Sequence, residues 1–189
     1  HWTMSQDSLK GSLLADKTPY ENDGTIYGAT FTTDRMGQPN KAMRFDGVDD
    51  YIDCGNSSNL NIVRGISVSV WVKTFSLSTK GHIVSRYGRT GQQYSLYQST
   101  TGLTLYINGG GSANGLTAPN IFSLNNWIHI VGSFDNISKK QEVFINGISL
   151  ANRTYNVEIN NPNEKTIIGG SAFLAASFNG LIDDVRIYN

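Results

Sequence analysis

A period-two alternation of apolar and polar residues constrains the fold of this chain more than any other feature. It is clearest in residues 66–73, which read Ile-Ser-Val-Ser-Val-Trp-Val-Lys. Because successive side chains of a β-strand point to opposite faces, the four aliphatic residues share one face and are predicted to lie in the core. Trp71 falls on the second face, where packing against neighbouring strands and stacking against a ligand are both open.

Two further alternating segments, 42–53 and 180–189, stand far apart in sequence and carry similar acidic and aromatic residues. The first and last strands of a β-sandwich often lie side by side in one sheet, so these two are predicted to be neighbours that close the domain. The Asp46-Gly47 step interrupts the first segment and is typical of a hairpin turn.

The remaining alternating runs predict an all-β chain. Short runs at 82–86, 93–98 and 103–107 are separated by glycine-containing loops, which indicates a meander. Residues 127–134 are apolar on both faces, as in a central strand of a covered sheet. Asn146-Gly147 predicts a second hairpin, and the glycine-rich residues 108–115 predict a mobile surface loop.

Length and charge narrow the class of protein. The 189 residues are a natural size for a single domain with its own core. Lys+Arg and Asp+Glu both number 15, so nucleic acid is not predicted as a partner. No run of apolar residues reaches the length of about 20 that spans a membrane, so membrane insertion is not predicted either. Cys54 is the lone cysteine and is expected to be a buried thiol, since no intrachain disulfide is possible.

Five segments together carry a family resemblance: FDGVDDYI, ISVSVWVK, WIHIVGSFD, EVFINGISL and FNGLIDDVRIYN. In this order they resemble the laminin-G-like, concanavalin A-like jelly-roll superfamily of lectin and carbohydrate-binding domains. The resemblance implies a two-sheet antiparallel β-sandwich of jelly-roll type over residues 1–189. A secreted or cell-surface location is expected, and because the sequence stops on a predicted strand at Asn189, we expect a module excised from a larger, multidomain protein. One fold hosts many functions, so the ligand has to be argued from the site.

Catalysis is tested first because the resembling fold class includes glucanases. Those enzymes place alternating carboxylates on one strand, so that two of them flank the scissile bond. Glutamate occurs here only at positions 21, 142, 158 and 164, and none has an acidic partner two or four residues away on the same strand. The chain is therefore predicted not to be an enzyme, with a glycan-processing enzyme built from distant residues as the remaining alternative.

Acidic and amide residues in the loop 15–33 raise the question of a calcium ion. Calcium prefers six to eight oxygen ligands from carboxylates, carbonyls and water. In the resembling family such a loop often wraps a calcium ion, and an acidic residue of the terminal strand helps to hold it. The resemblance therefore implies a structural Ca²⁺ held by Asp16, Asn22, Asp23, Gly24 and Asp183. Taken alone, the residues favour turn caps and hydrogen bonds to arginine or backbone N–H groups.

Carbohydrate binding is the leading predicted function. Lectin-type sites pair aromatic faces with amide and charged groups that bond sugar hydroxyls. Such residues cluster in the predicted hairpins after residue 85, and a site for an oligo- or polysaccharide is predicted at Arg86, Tyr87, Arg89, Gln93 and Tyr97. Two alternatives stay open: tyrosines that serve only cross-strand packing, and an adhesive, protein-binding module without a sugar site.

Overall fold

The computed structural model describes residues 1–109, 114–173 and 176–189. Residues 110–113 of the predicted surface loop lie outside this range, and Gly115 at its end already belongs to a strand. Short 3₁₀ turns occupy Gln6–Ser8 and Ser58–Leu60. The strands of the described residues, β1 to β16 in chain order, are Leu9–Lys10, Leu13–Leu14, Gly24–Tyr27, Thr30–Thr32, Ala42–Asp46, Tyr51–Asp53, Gly65–Thr74, Gly81–Tyr87, Gln92–Ser99, Gly102–Ile107, Gly115–Pro119, Trp127–Asp135, Lys140–Ile145, Ile148–Thr154, Thr166–Ile168 and Asn179–Tyr188.

These strands form two antiparallel sheets. The nine-stranded sheet has the order β1-β2-β3-β6-β15-β8-β9-β10-β11, and the seven-stranded sheet has the order β14-β13-β12-β7-β16-β5-β4. The predicted meander is present as β8, β9 and β10, which pair with one another in sequence. The predicted fold class, an all-β two-sheet sandwich, is confirmed.

The core lies between the two sheets and follows the alternation in the sequence. Along β7 every second residue, from Ile66 to Thr74, is buried, and the residues between them are half-buried on the opposite face. The sheets approach closely at Gly132 of β12. A Cβ at this position would lie 2.6 Å from a methyl group of Leu96 and 3.1 Å from one of Leu105, both in the other sheet. The glycine thus leaves room for two leucines to interdigitate.

The predicted neighbourhood of the first and last alternating segments is confirmed. β16 pairs antiparallel with β5, with Asn179 opposite Asp46 and Ile182 opposite Met43. On its other side β16 pairs with β7, so the last strand of the chain lies in the middle of the seven-stranded sheet.

The predicted hairpin at Asp46-Gly47 is wrong, because β5 and β6 belong to different sheets. The turn is stabilised by side chains and not by a cross-strand ladder. The Asp50 carboxylate accepts a hydrogen bond from the Asp46 N–H at 2.9 Å, and Asp46 accepts one from the Val48 N–H at 2.8 Å. Gly47 has a φ of 82°, which favours glycine. The chain can therefore leave one sheet and enter the other.

Trp71 is a packing residue on the outer face of the seven-stranded sheet. The guanidinium carbon of Arg35 lies 4.9 Å from the centre of the indole, and the ring of His129 lies 5.0 Å from it. Both neighbours cover the indole, so the packing alternative holds.

Cys54 is buried, and this burial raises the pKa of its thiol. None of the helical turns in the described residues has the length and apolar character of a membrane span.

Candidate functional site

Five ring side chains form a continuous row on the outer face of the nine-stranded sheet. In order they are Phe173, Tyr87, His82, Tyr97 and Tyr106, here called the aromatic row. Successive ring centres are separated by 5.9, 5.7, 4.8 and 6.0 Å. His82 pairs in register with Tyr97, and Tyr97 pairs with Thr104 of the next strand. Because cross-strand partners share a face, the row runs across β8, β9 and β10.

A β-bulge turns His82 towards this outer face. The pairing of β8 with β9 shifts between His82 and Val84, so that Ile83 is an extra residue in β8. Val84 and its partner Leu96 point into the core and are fully buried. Without the bulge, His82 and Val84 would share one face, because they are two residues apart.

Hydroxyl and amide groups lie among the rings. His82 Nδ1 and Ser95 Oγ share a hydrogen bond of 2.7 Å, and the hydroxyls of Thr104 and Thr117 share one of 2.9 Å. Gln92 pairs in register with Tyr87. Its two amide atoms, like His82 Nε2, are buried without a hydrogen-bond partner among the described residues. Buried polar groups of proteins normally have partners, so these three atoms are exceptions beneath the row and are not exposed on its surface.

The segment between β15 and β16 borders the row. In its described part, the carbonyl of Gly170 accepts a hydrogen bond of 2.8 Å from Ser85 Oγ. The N–H of Ala172 donates to the carbonyl of Tyr87 at 3.2 Å, and the N–H of His82 donates to the carbonyl of Ala176 at 2.9 Å. These bonds hold the segment against β8 and place Phe173 at the end of the row.

The row is uncharged at neutral pH. Burial lowers the pKa of the His82 imidazole to about 4, so the ring is neutral and offers one donor and one acceptor. Burial also raises the pKa of the Tyr97 and Tyr106 phenols, which therefore keep their protons. The chemistry available to such a surface is stacking and hydrogen bonding.

The structure separates the five residues predicted to bind a ligand. Tyr87 and Tyr97 lie together in the aromatic row. Arg89 is exposed in the loop between β8 and β9. Arg86 and Gln93 are both 0% exposed, and their burial argues against direct contact with a ligand.

Arg86 and Gln93 instead connect the sheet to loops. The Arg86 guanidinium donates to Thr166 Oγ1 at 3.2 Å and to Asn61 Oδ1. The Gln93 amide donates to the carbonyls of Ile62 and Asn160, both at 2.9 Å. These two residues support the segments around the sandwich and do not face the aromatic row.

Sequence reasoning missed His82, Gln92 and Phe173 as members of this surface. No local signal marks the bulge that turns His82 outward, because its run reads as an ordinary strand. Phe173 arrives from a segment more distant along the chain. Tyrosines that recur on successive short strands are the signal that did locate the face.

Asp16, predicted as a calcium ligand, already accepts hydrogen bonds at both carboxylate oxygens. Oδ1 accepts from the N-terminal amine of His1 at 2.8 Å and from the Thr18 N–H at 3.0 Å. Oδ2 accepts from Thr18 Oγ1 at 2.8 Å and from the Asn22 backbone and amide nitrogens, both at 3.1 Å. Burial acts to raise the pKa of Asp16, but the hydrogen bonds from the amine and Thr18 outweigh it and lower the pKa.

The other predicted calcium ligands do not join Asp16 in one cation site. Asp23 Oδ1 accepts from the Asp16 N–H at 2.9 Å, and Gly24 begins β3 with no room for a side chain against Ile52. Asp183 forms an ion pair with Arg35, and burial raises the pKa of its carboxyl to about 6. Asn22 Oδ1 is the one side-chain oxygen of the predicted set that is buried without a hydrogen-bond partner among the described residues, while both Asp16 oxygens accept N–H or O–H donors and Asp183 is paired with arginine. One free amide oxygen beside engaged carboxylates does not fit a calcium ion, which prefers six to eight oxygen ligands.

The sequence matches a family model described as the concanavalin A-like lectin/glucanases superfamily over residues 46–189. No curated protein matches the sequence. Three solved structures are similar in fold. The first is domain 4 of AbnA, a GH43 extracellular arabinanase from Geobacillus stearothermophilus, in complex with arabinotriose. It has a TM-score of 0.73 and 23% sequence identity, and the match covers 100% of this chain and 91% of that chain.

The second is the Ruminococcus gnavus IT-sialidase CBM40 bound to α2,3 sialyllactose. It has a TM-score of 0.65 and 14% identity, covering 78% of this chain and 89% of that chain. The third is the ligand-binding domain of botulinum neurotoxin serotype D in complex with N-acetylneuraminic acid, with a TM-score of 0.69 and 14% identity. It covers 98% of this chain, which spans only 46% of that one. At these identities the similarity shows the fold alone.

Proposed function

Because this chain belongs to the concanavalin A-like lectin/glucanase superfamily, we propose that it is a carbohydrate-binding module that holds an oligo- or polysaccharide on the aromatic row. The observation that carries the proposal is the row itself, four aromatic rings and one imidazole on one sheet face. The similar solved structures bound to arabinotriose and sialyllactose support a carbohydrate as the class of ligand.

The physical basis of binding is the two-sided character of sugars. The C–H groups of a pyranose or furanose ring pack against aromatic faces, and the hydroxyls need hydrogen-bond partners in the same plane. Tyr87, Tyr97 and Tyr106 supply ring surface together with phenolic hydroxyls. Gln92 pairs with Tyr87 but is buried, so the polar groups that a ligand can reach are the hydroxyls of the half-buried tyrosines and of the exposed Thr117.

A non-catalytic role is part of the proposal, and the composition of the same strands supports it. Glycoside hydrolysis by the usual mechanisms requires two carboxyl groups that flank the bond. Strands β8 to β11 contain neither aspartate nor glutamate. The rings can therefore hold a glycan, but strands β8 to β11 offer no carboxyl group as acid, base or nucleophile.

The binding test uses affinity electrophoresis of the whole chain through gels that contain arabinan, xylan, galactan, mannan, polygalacturonate or glucuronoxylan, followed by calorimetry with sialyllactose. We expect at least one glycan to retard the protein relative to a non-binding reference protein. If none of them binds, the proposed function is overturned and an adhesive, protein-binding module becomes the better reading.

A secreted or cell-surface location, within a larger multidomain protein, is part of the same proposal. The similar arabinanase domain comes from an extracellular enzyme, and the matched toxin chain is about twice as long as this one. Partner domains of the parent protein would then carry any catalytic activity.

Calcium stays a separate prediction, decided by thermal unfolding with excess calcium and with chelator. An ion present at a hundred times its dissociation constant adds about 2.7 kcal/mol of stability. The donor-saturated Asp16 leads us to expect no shift in Tm. A shift that Asp16→Asn abolishes, and that the control Asp49→Asn retains, would instead establish calcium at the predicted loop.

A further inference from the structure

We propose that the aromatic row selects neutral glycans and discriminates against glycans that carry carboxylates. This inference rests on the proposed function and specifies the ligand class of the same site. It is carried by the distribution of charge around the row.

The four strands that carry and flank the row are nearly free of charged residues. Across β8 to β11 the only arginine is Arg86, and lysine, aspartate and glutamate are absent. Arg86 is fully buried and pairs in register with the core residue Tyr94, so its cation does not face the row. The chain as a whole has 15 basic and 15 acidic residues, so β8 to β11 contain far fewer charged residues than the rest of the chain.

The bordering segment adds no charge either. The described residues of that segment, 169–173 and 176–177, are glycine, serine, alanine and phenylalanine only. The nearest cations along the chain are Lys80 and Arg89, which precede and follow β8. Lys165, on another part of the sheet, is neutralised by Asp53 at 2.5 Å.

The groups that remain in the row are poor hosts for a carboxylate. His82 is neutral because burial lowers the pKa of its imidazole, so it contributes no cation at neutral pH. The faces of tyrosine rings carry the negative side of the aromatic quadrupole, which repels an anion. A carboxylate placed here would lose hydration without gaining a charged partner, whereas neutral hydroxyls exchange water for the phenol groups of the row and the hydroxyl of Thr117.

The experiment compares matched glycans that differ only in charge. Polygalacturonate is compared with its methyl-esterified form, and glucuronoxylan with its carboxyl-reduced form. Galactan and mannan, whose C6 hydroxyls are free, are each compared with the product after oxidation of those primary hydroxyls to carboxylates. We expect the neutral member of each bound pair to bind at least about tenfold more tightly. Its affinity should change less than about twofold between low and high salt, because no ion pair is formed.

A substitution beside the row supplies the converse test. Thr117 is exposed, and its hydroxyl bonds that of Thr104, the register partner of Tyr97. Thr117→Lys places a cation there and should raise affinity for the acidic member about threefold, in a salt-dependent way. The uncharged control Thr117→Gln should leave the preference for the neutral member unchanged.

The outcomes separate the two proposals. Tighter binding of the acidic members by the unsubstituted chain would overturn neutral selectivity and leave the carbohydrate-binding function standing. Equal binding of both members of a pair would also overturn selectivity. Failure of the chain to bind any glycan of the panel would overturn the proposed function itself.

Discussion

Tyr97→Ala is expected to weaken glycan binding about 30-fold, the equivalent of about 2 kcal/mol at a central aromatic anchor. Tyr97 lies between His82 and Tyr106, with ring centres 4.8 and 6.0 Å away. Its removal therefore interrupts the aromatic row in the middle and takes away the ring surface against which a sugar would pack. Calorimetry with the glycan that binds the unsubstituted chain measures the change.

Two matched variants make this result specific. Tyr97→Phe keeps the ring and should retain most of the affinity, because only the phenolic hydroxyl is lost. Tyr27→Ala removes a tyrosine of the same sheet that stacks on Tyr51, with ring centres 4.6 Å apart, outside the row. It should leave binding unchanged. If Tyr97→Ala folds normally and binds as tightly as the unsubstituted chain, the ligand does not lie on the aromatic row.

His82 is expected to make the fold less stable in acid by about 2 kcal/mol at pH 5 relative to neutral pH. Burial lowers its pKa to about 4, whereas an unfolded histidine titrates near its ordinary value of about 6.5. Between these two values the unfolded chain binds more protons than the folded chain. The free energy of unfolding therefore falls as the pH drops through about 6.5 towards 4.

Urea denaturation at pH 7.5 and pH 5 measures the change in the free energy of unfolding on acidification, both in the unsubstituted chain and in His82→Gln. The variant removes the titrating group and should lose about 2 kcal/mol less on acidification than the unsubstituted chain. The comparison variant His129→Gln removes a half-buried imidazole whose pKa burial also lowers, so this variant too should lose less stability on acidification than the unsubstituted chain. An identical loss of stability on acidification in the His82→Gln variant and the unsubstituted chain would contradict a neutral, buried His82.

The extent to which the site was predictable differs from residue to residue. Tyr87 and Tyr97 were predicted as ligand residues, and both lie in the row, because tyrosines on successive short strands mark a face. Arg86 and Gln93 were predicted beside them, yet the structure buries both. Adjacent residues in a strand point to opposite faces, so Arg86 enters the core side when Tyr87 faces outward.

The sequence by itself determined most of the longer strands and some of their pairings, although β11 and β15 were not predicted. Alternation identified β7 and the meander, Asn146-Gly147 marked the turn between β13 and β14, and the matching segments around β5 and β16 were predicted as neighbours. These features are local patterns of side chains, or similarities between two such patterns, and both can be read without coordinates.

Only the tertiary structure decided which sheet each strand joins and which side chains meet. The carboxylates of Asp46 and Asp50 turn the chain from one sheet to the other where a hairpin was predicted. An extra residue, Ile83, turns His82 outward, and a segment that starts near residue 169 brings Phe173 beside Tyr87. The physical reason is that alternation fixes two faces of a strand, whereas bulges and the packing of distant segments determine what each face contacts.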